Sequence, residues 1–185
     1  KSGPLPPAVV EGIARVFGEG VSAEQAVDRI IADVAERGDA ALFDYGKRID
    51  GWSDDSLAVT SEEIDQAFES LPPELIGAME VAAGRIRAFH EVGLPESWFD
   101  EAMGLGQRIL PLRTVGLYVP GGTAPYPSTV LHTAMPARVA GVESVVMTTP
   151  PEPAPVVLAA ARIAGVDQVF RAGGAGGQSV QKNST

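Results

Sequence analysis

The sequence predicts an α/β chain: a helical N-terminal segment followed by an incomplete, doubly wound parallel sheet. Three observations carry this. The first half repeats apolar residues at helical spacing behind capping boxes. The second half alternates short β-rich runs with alanine-rich helical stretches, the pattern of parallel strands joined by right-handed crossovers. Charge divides along the same line: residues 1–102 carry 8 basic and 21 acidic groups, a net −13, and residues 103–185 carry 6 and 3, a net +3.

The elements follow in order. Ser22 and Gln25 form a capping box, because hydroxyl and amide can satisfy orphan donors at a helix start. Val27, Ile30, Ile31 and Val34 then make one helix face, and Gly38 ends it. Asp39 caps a second helix bearing Leu42, Tyr45 and Ile49. The extended piece SLAVT ends at Thr60, which forms a second capping box with Glu63 and opens a helix with Ile64, Phe68 and Leu71. After Pro72-Pro73, a long helix is expected from about Glu74 to Val92, its apolar face carrying Leu75, Met79, Ala82, Ile86 and Phe89.

Between Gly93 and Gly106 glycine and proline punctuate the chain, a candidate domain boundary. Beyond it lie four β-rich runs: RILPLR, VGLYV, SVVMTT and QVFRA. Helical segments are expected at about 127–140 and 154–164. Each helix returns to a strand through a similar joint, Gly141-Val142-Glu143 and Gly165-Val166-Asp167. The organisation is therefore a mainly helical region 1–106 followed by a sheet region from residue 107.

Composition bounds the function. Of 185 residues, 45% are hydrophobic and 21% charged, enough to bury a core. No apolar run approaches the ~20 residues of a membrane span, and the opening KSGPLPPAVV lacks the apolar core of a signal peptide. With no cysteine, disulfides and thiolate metal sites are excluded. A net charge of −10 repels nucleic acid, whereas the mildly basic second half suits a small anion. The expectation is a cytoplasmic protein with neither a nucleic-acid nor a membrane partner.

In an open parallel sheet, ligands sit outside the carboxyl ends of the strands. Pro120-Gly121-Gly122 follows VGLYV there, and Gly173-Gly174-Ala175-Gly176-Gly177 follows QVFRA. Glycines allow close approach to a pyrophosphate, and Ser128 and Thr129 stand where a helix N-terminus would offer donors. Two structural turns account for the same residues. There is no G-x-G-x-x-G, no acid at the usual place after a second strand and no P-loop. Tyr118 ends its strand beside the glycines, either as a ligand contact or as a half-buried strand tyrosine. His90 is expected on a helix surface and His132 partly buried; neither has a second ligand at i+3 or i+4. No nucleophilic triad can be assembled.

The stretches RGDAALFDYGKRIDG, AAGRIRAFHE, RTVGLYVPGGTAPYPSTVLHTAMPARVAGVESVVMTTPP and AARIAGVDQVFRAGGA resemble the N-terminal part of the histidinol dehydrogenase family, collinearly from about residue 20 to 175. The resemblance implies an incomplete Rossmann-like sheet. It implies oxidation of L-histidinol through the aldehyde to L-histidine, the last step of histidine biosynthesis, with two NAD in succession, zinc and a homodimer. It places Tyr118 as a NAD contact, with Pro120, Gly121, Gly122, Gly173 and Gly174 lining the cofactor. Where the family has a glutamine after Gly-Gly-Ala, this chain has Gly176, and Gln178 comes two places later. From Gly176 the sequence departs from the family, so the resemblance implies a partial Rossmann-like NAD-binding region at 107–175 and a non-family tail at 176–185. The Glu-His acid/base pair, the zinc ligands, a NAD-contacting asparagine and most substrate contacts have no matching positions here. The chain alone is therefore expected to bind NAD weakly and to lack catalysis. Two alternatives stand beside this reading: a non-catalytic interaction module built on the acidic helices, or part of a related dehydrogenase for another small alcohol.

Overall fold

The computed structural model describes residues 5–121 and 125–172. Three helices come first: α1 (Pro7–Phe17), α2 (Ala23–Arg37) and α3 (Asp39–Tyr45). The Ser22–Gln25 capping box forms in full at the start of α2. Ile13, Val16, Ala26, Ala41 and Tyr45 are buried together in this helical cluster, with Phe17 and Tyr45 ring centroids 5.9 Å apart. A π-helical turn, Gly46–Asp50, continues from α3.

Strand β1 (Ala58–Val59), α4 (Ser61–Glu69) and α5 (Pro73–Val92) follow. Then come β2 (Trp98–Asp100) and β3 (Leu105–Gln107), β4 (Thr114–Tyr118), α6 (Pro127–Val139), β5 (Ser144–Thr149), α7 (Pro155–Ala164) and β6 (Gln168–Arg171). The main sheet has the order β1-β6-β5-β4. Its last three strands are parallel, as the alternation of strands and helices predicts, and SLAVT joins as an antiparallel fourth strand on β6. The fold is α/β with an incomplete parallel sheet.

Side chains alternate across β5: Val145, Met147 and Thr149 are buried, while the intervening residues are half-buried. Val145 and Met147 share one core with Val130, Leu131, Ala134 and Met135 of α6 and Val157, Leu158 and Ala161 of α7. Ala67 of α4 and Ile76, Met79 and Ala83 of α5 belong to the same core. Burying a Leu, Val or Met side chain fully is worth roughly 1.5–3 kcal/mol, so this cluster dominates the sheet's stability.

Two local expectations fail. Arg108–Arg113 is not a strand; the pairing nearby is the β2–β3 hairpin. Pro111 lacks an N–H, and Leu110 and Leu112 stay exposed because no neighbouring edge takes them. In α5 the buried line is Ile76, Met79, Ala83 and Ile86 rather than one through Leu75 and Phe89. Phe89 is 76% exposed. The docking of α6 selects that line, and a sequence with apolar residues on several faces does not choose among them.

At the amino ends of the strands, Arg138 clips together the two similar helix-to-strand joints. Its Nε donates to the Gly165 carbonyl at 2.9 Å, and its Nη1 to the Val142 and Glu143 carbonyls at 3.1 Å. Its Nη2 pairs with Asp167 at 2.6 Å, and Asp167 also accepts the Val145 N–H at 2.7 Å. The opposite, carboxyl edge is where a ligand would sit.

Candidate functional site

Strand β4 runs in parallel register with β5 from Thr114 opposite Ser144 to Tyr118 opposite Thr148. The Val119 N–H continues the ladder to the Thr148 carbonyl at 2.9 Å, and Val119 and Pro120 are buried. The strand therefore enters the turn rigidly, with Tyr118 at its carboxyl end. Gly121 comes next. A Cβ there would lie 3.0 Å from Cγ and 3.3 Å from Cβ of Pro150. This glycine is thus explained by close packing against the proline at the end of β5.

Tyr118 is different. Its ring is half-buried in the sheet, yet its hydroxyl is fully buried and has no hydrogen-bond partner among the described residues. Buried polar groups are nearly always paired, so this oxygen calls for an explanation. Burial pushes the phenol pKa up, and the negative charge of Asp50 pushes it further in the same direction. Asp50 ends the π-helical turn; it keeps solvent on one side, while protein packed on the other raises its own pKa.

The segment after Asp50 is held firmly. Trp52 stacks on Phe43 at 5.9 Å and 10°, and its indole lies so close to Gly46 that a Cβ there would be 2.8 Å from Cε3. Trp52, Ser53 and Asp54 face Pro151, Pro153 and Arg171 across an open cleft of about 380 Å³ at the carboxyl edge of β5 and β6. Arg171 is not free to take an anion. Its Nη1 donates to the Ala58 carbonyl at 2.9 Å, and its Nη2 pairs with Glu63. Glu63 also completes the Thr60 capping box. The Thr60 N–H, followed by Arg171, holds the Glu63 carboxyl below the usual carboxylate range.

Helix α6 begins with Pro127, which has no N–H, and the Thr129 N–H is taken by the Tyr126 carbonyl at 3.1 Å. Ser128 is exposed in the same first turn. His132 is exposed, not partly buried, because it lies on the side of α6 away from Val130, Leu131, Ala134 and Met135. His90 is half-buried on α5 with its ring edge-on to Phe89 at 5.3 Å. No group of three or more metal-capable side chains lies among the described residues. No described helix is long and apolar enough to cross a membrane.

Of the candidates for cofactor contact, Tyr118, Pro120 and Gly121 lie together at the end of β4. Gly122, Gly173 and Gly174 lie outside the described residues, as does Gly176. Asp50 is a residue that sequence reasoning passed over. Its only signal is its place at the end of the RGDAALFDYGKRIDG stretch.

A family model for histidinol dehydrogenase matches residues 17–180. The chain belongs to the histidinol dehydrogenase family. The match runs a little past residue 175, where the sequence reading placed the departure from that family. The chain is 52% identical over 157 residues to a histidinol dehydrogenase from Rhizobium meliloti, a match covering 80% of this chain and 36% of that protein. It is 44% identical over 178 residues to one from Deinococcus radiodurans, covering 93% of this chain and 40% of that protein. The crystal structure of histidinol dehydrogenase from Elizabethkingia anophelis superposes with a TM-score of 0.77 at 28% identity, covering 97% of this chain and 43% of that one. The chain thus spans well under half the length of these histidinol dehydrogenases.

Proposed function

We propose that this chain forms the NAD-facing N-terminal part of a histidinol dehydrogenase, an oxidoreductase that takes L-histidinol to L-histidine with NAD as the oxidant. The observation that carries the reading is the Tyr118 hydroxyl, buried and unpartnered at the carboxyl end of β4 within the VGLYVPGG stretch. An orphaned buried donor fits a ligand hydroxyl or phosphate oxygen that takes its hydrogen bond. When bound, NAD supplies the hydride acceptor. The protein's contribution is to orient it: Tyr118 offers one hydrogen bond, and the rigid β4–β5 ladder fixes where that bond is made. Gly121 keeps the turn against Pro150 and so holds the strand end in place.

The family also implies zinc. The described residues do not fit a zinc centre: His90 and His132 stand on different helices, and neither joins a cluster of carboxylates. No step through a metal is derived from them. The homodimer the family implies is carried into the proposal as well.

The reading is tested by calorimetric titration of the 185-residue chain with NAD, followed by addition of L-histidinol. The expected result is weak, saturable NAD binding without NADH formation. Absence of any NAD binding would overturn the site, and robust NADH production would overturn the assignment of catalysis to residues outside this chain.

A second reading rests on the surface around the hairpin. Trp98, Phe99, Met103, Leu105, Leu110 and Leu112 are all exposed there. Such an apolar patch suits a protein interface. Light scattering with and without NAD separates the two: a stable dimer indifferent to NAD supports a non-catalytic interaction module.

A further inference from the structure

Two polar residues are buried among the described ones, Thr149 and Arg171, and they end β5 and β6 side by side in register. Arg171 directs its donors to one neighbour, the β1–α4 unit. Its backbone N–H donates to the Leu57 carbonyl at 2.7 Å, its Nη1 to the Ala58 carbonyl at 2.9 Å, and its Nη2 to Oε1 of Glu63. The other oxygen of Glu63, Oε2, accepts the Thr60 N–H at 2.8 Å and so completes the cap of α4. A single carboxylate thus ties the start of α4 to the carboxyl end of β6.

A guanidinium buried against a carboxylate gives up hydration, and apolar side chains of similar volume often hold a core as well or better. Stability alone therefore does not call for charge at this place. What the pair supplies is direction. The planar fork reaches a carbonyl and a carboxylate in one fixed orientation, which neither an ammonium group nor an apolar contact reproduces. The segment so fixed is the wall of the carboxyl-edge cleft. At one end Trp52 is anchored by its N–H to the Gly46 carbonyl at 3.2 Å and by its stacking on Phe43. At the other end Arg171 holds Leu57 and Ala58. Between these anchors, the hydrogen bonds of Asp54, Asp55 and Ser56 are local among the described residues. Across the cleft stand Pro151 and Pro153, which follow β5. The Arg171 clamp therefore sets the width of the cleft, its own donors being engaged by protein.

We propose that Arg171 and Glu63 are positioning residues for a ligand in this cleft: they hold the Trp52–Asp54 wall at the spacing that a bound dinucleotide requires beside the carboxyl ends of β5 and β6. The proposal rests on the NAD reading of the same sheet edge. It concerns residues that act on the ligand only through that wall.

The test uses Trp52 as a reporter. The chain has two tryptophans, so Trp98→Phe leaves the cleft residue alone. In that background NAD is titrated into the 185-residue chain and into Glu63→Gln, Arg171→Lys, the double variant Glu63→Leu/Arg171→Met, and Asp65→Asn. Thermal melting of each monitors folding. NAD is expected to change the Trp52 emission. Glu63→Gln keeps an amide that can cap α4 but loses the charge, and Arg171→Lys keeps the charge but loses the fork. Each should weaken NAD by about tenfold, the usual loss when a group supporting a binding residue is removed, and shift the Trp52 emission of the free chain. The double variant should melt at or above the temperature of the unaltered pair yet bind NAD as weakly as the single variants. Asp65→Asn breaks the exposed pair with Arg162 on the same helix and should leave affinity and emission unchanged.

A merely structural role would restore NAD binding together with stability, so a double variant that binds NAD like the unaltered pair overturns the proposal. If the double variant melts lower or does not fold, Glu63→Gln decides, measured well below its melting temperature: a tenfold loss sustains the proposal and unchanged affinity overturns it. An equal loss in Asp65→Asn also overturns it, because any disturbance of α4 would then suffice. In each of these cases NAD binding by the unaltered pair leaves the NAD reading standing. If the unaltered pair binds no NAD, that reading falls and this one with it.

Discussion

Replacing Tyr118 by Phe should stabilise the chain while weakening its ligand. The phenyl ring occupies the same half-buried place at the end of β4, so packing is retained. What is removed is a hydroxyl with no solvent access and no partner among the described residues. An unpaired buried polar group costs about 1–3 kcal/mol. At the lower end of that range, a gain of about 1 kcal/mol is expected. For a chain of this size that raises Tm by about 2–4 °C. The lost hydrogen bond should weaken NAD by about fivefold, since one such bond contributes about 1 kcal/mol and 1.4 kcal/mol is a factor of ten. Scanning calorimetry reads the first effect and calorimetric titration the second. A fall in Tm would refute the reasoning, because it would mean that the hydroxyl makes a stabilising bond in the free protein. Unchanged NAD affinity would equally refute its role in binding.

Arg138→Ala removes the guanidinium that joins Gly165, Val142, Glu143 and Asp167, and should cost about 2–4 kcal/mol in urea unfolding, because charge-assisted bonds to carbonyls are lost together. Asp167 is held below the usual carboxylate range, first by the Val145 N–H and then by Arg138. Its folded pKa lies below its unfolded one, so its contribution is full above about pH 4 and drains away as pH falls through the folded value. Acid titration of stability should therefore fall more steeply for the unaltered chain than for Asp167→Asn, and parallel curves would contradict this. Gly121→Ala places a Cβ 3.0 Å from a proline ring that cannot swing aside, and should lower stability by about 1–2 kcal/mol, with a Tm fall to match.

Much of the fold is legible because its determinants are local. Both capping boxes, Ser22–Gln25 and Thr60–Glu63, form as their three-residue spacing requires. The β4, α6, β5, α7, β6 succession follows from short β-rich runs separated by helical ones, and parallel pairing follows from the crossovers. Arg108–Arg113 misleads because apolar composition without a facing edge does not make a strand. The exposure of His132 is equally invisible, since the face of α6 that is buried depends on what packs against it.

By itself, then, the sequence determined where helices start, how the three parallel strands succeed one another, and through the VGLYVPGG stretch which family to expect. Caps and periodicities act within a turn or two of chain, so they are written in neighbouring residues. Only the tertiary structure decided that β1 closes the sheet on β6, that Glu63 reaches Arg171 across 108 positions, and that the Tyr118 hydroxyl is buried with no partner among the described residues. Those pairings are set by how helices dock on the sheet, where burial makes a lone charge or hydroxyl costly and so gives each approach its meaning.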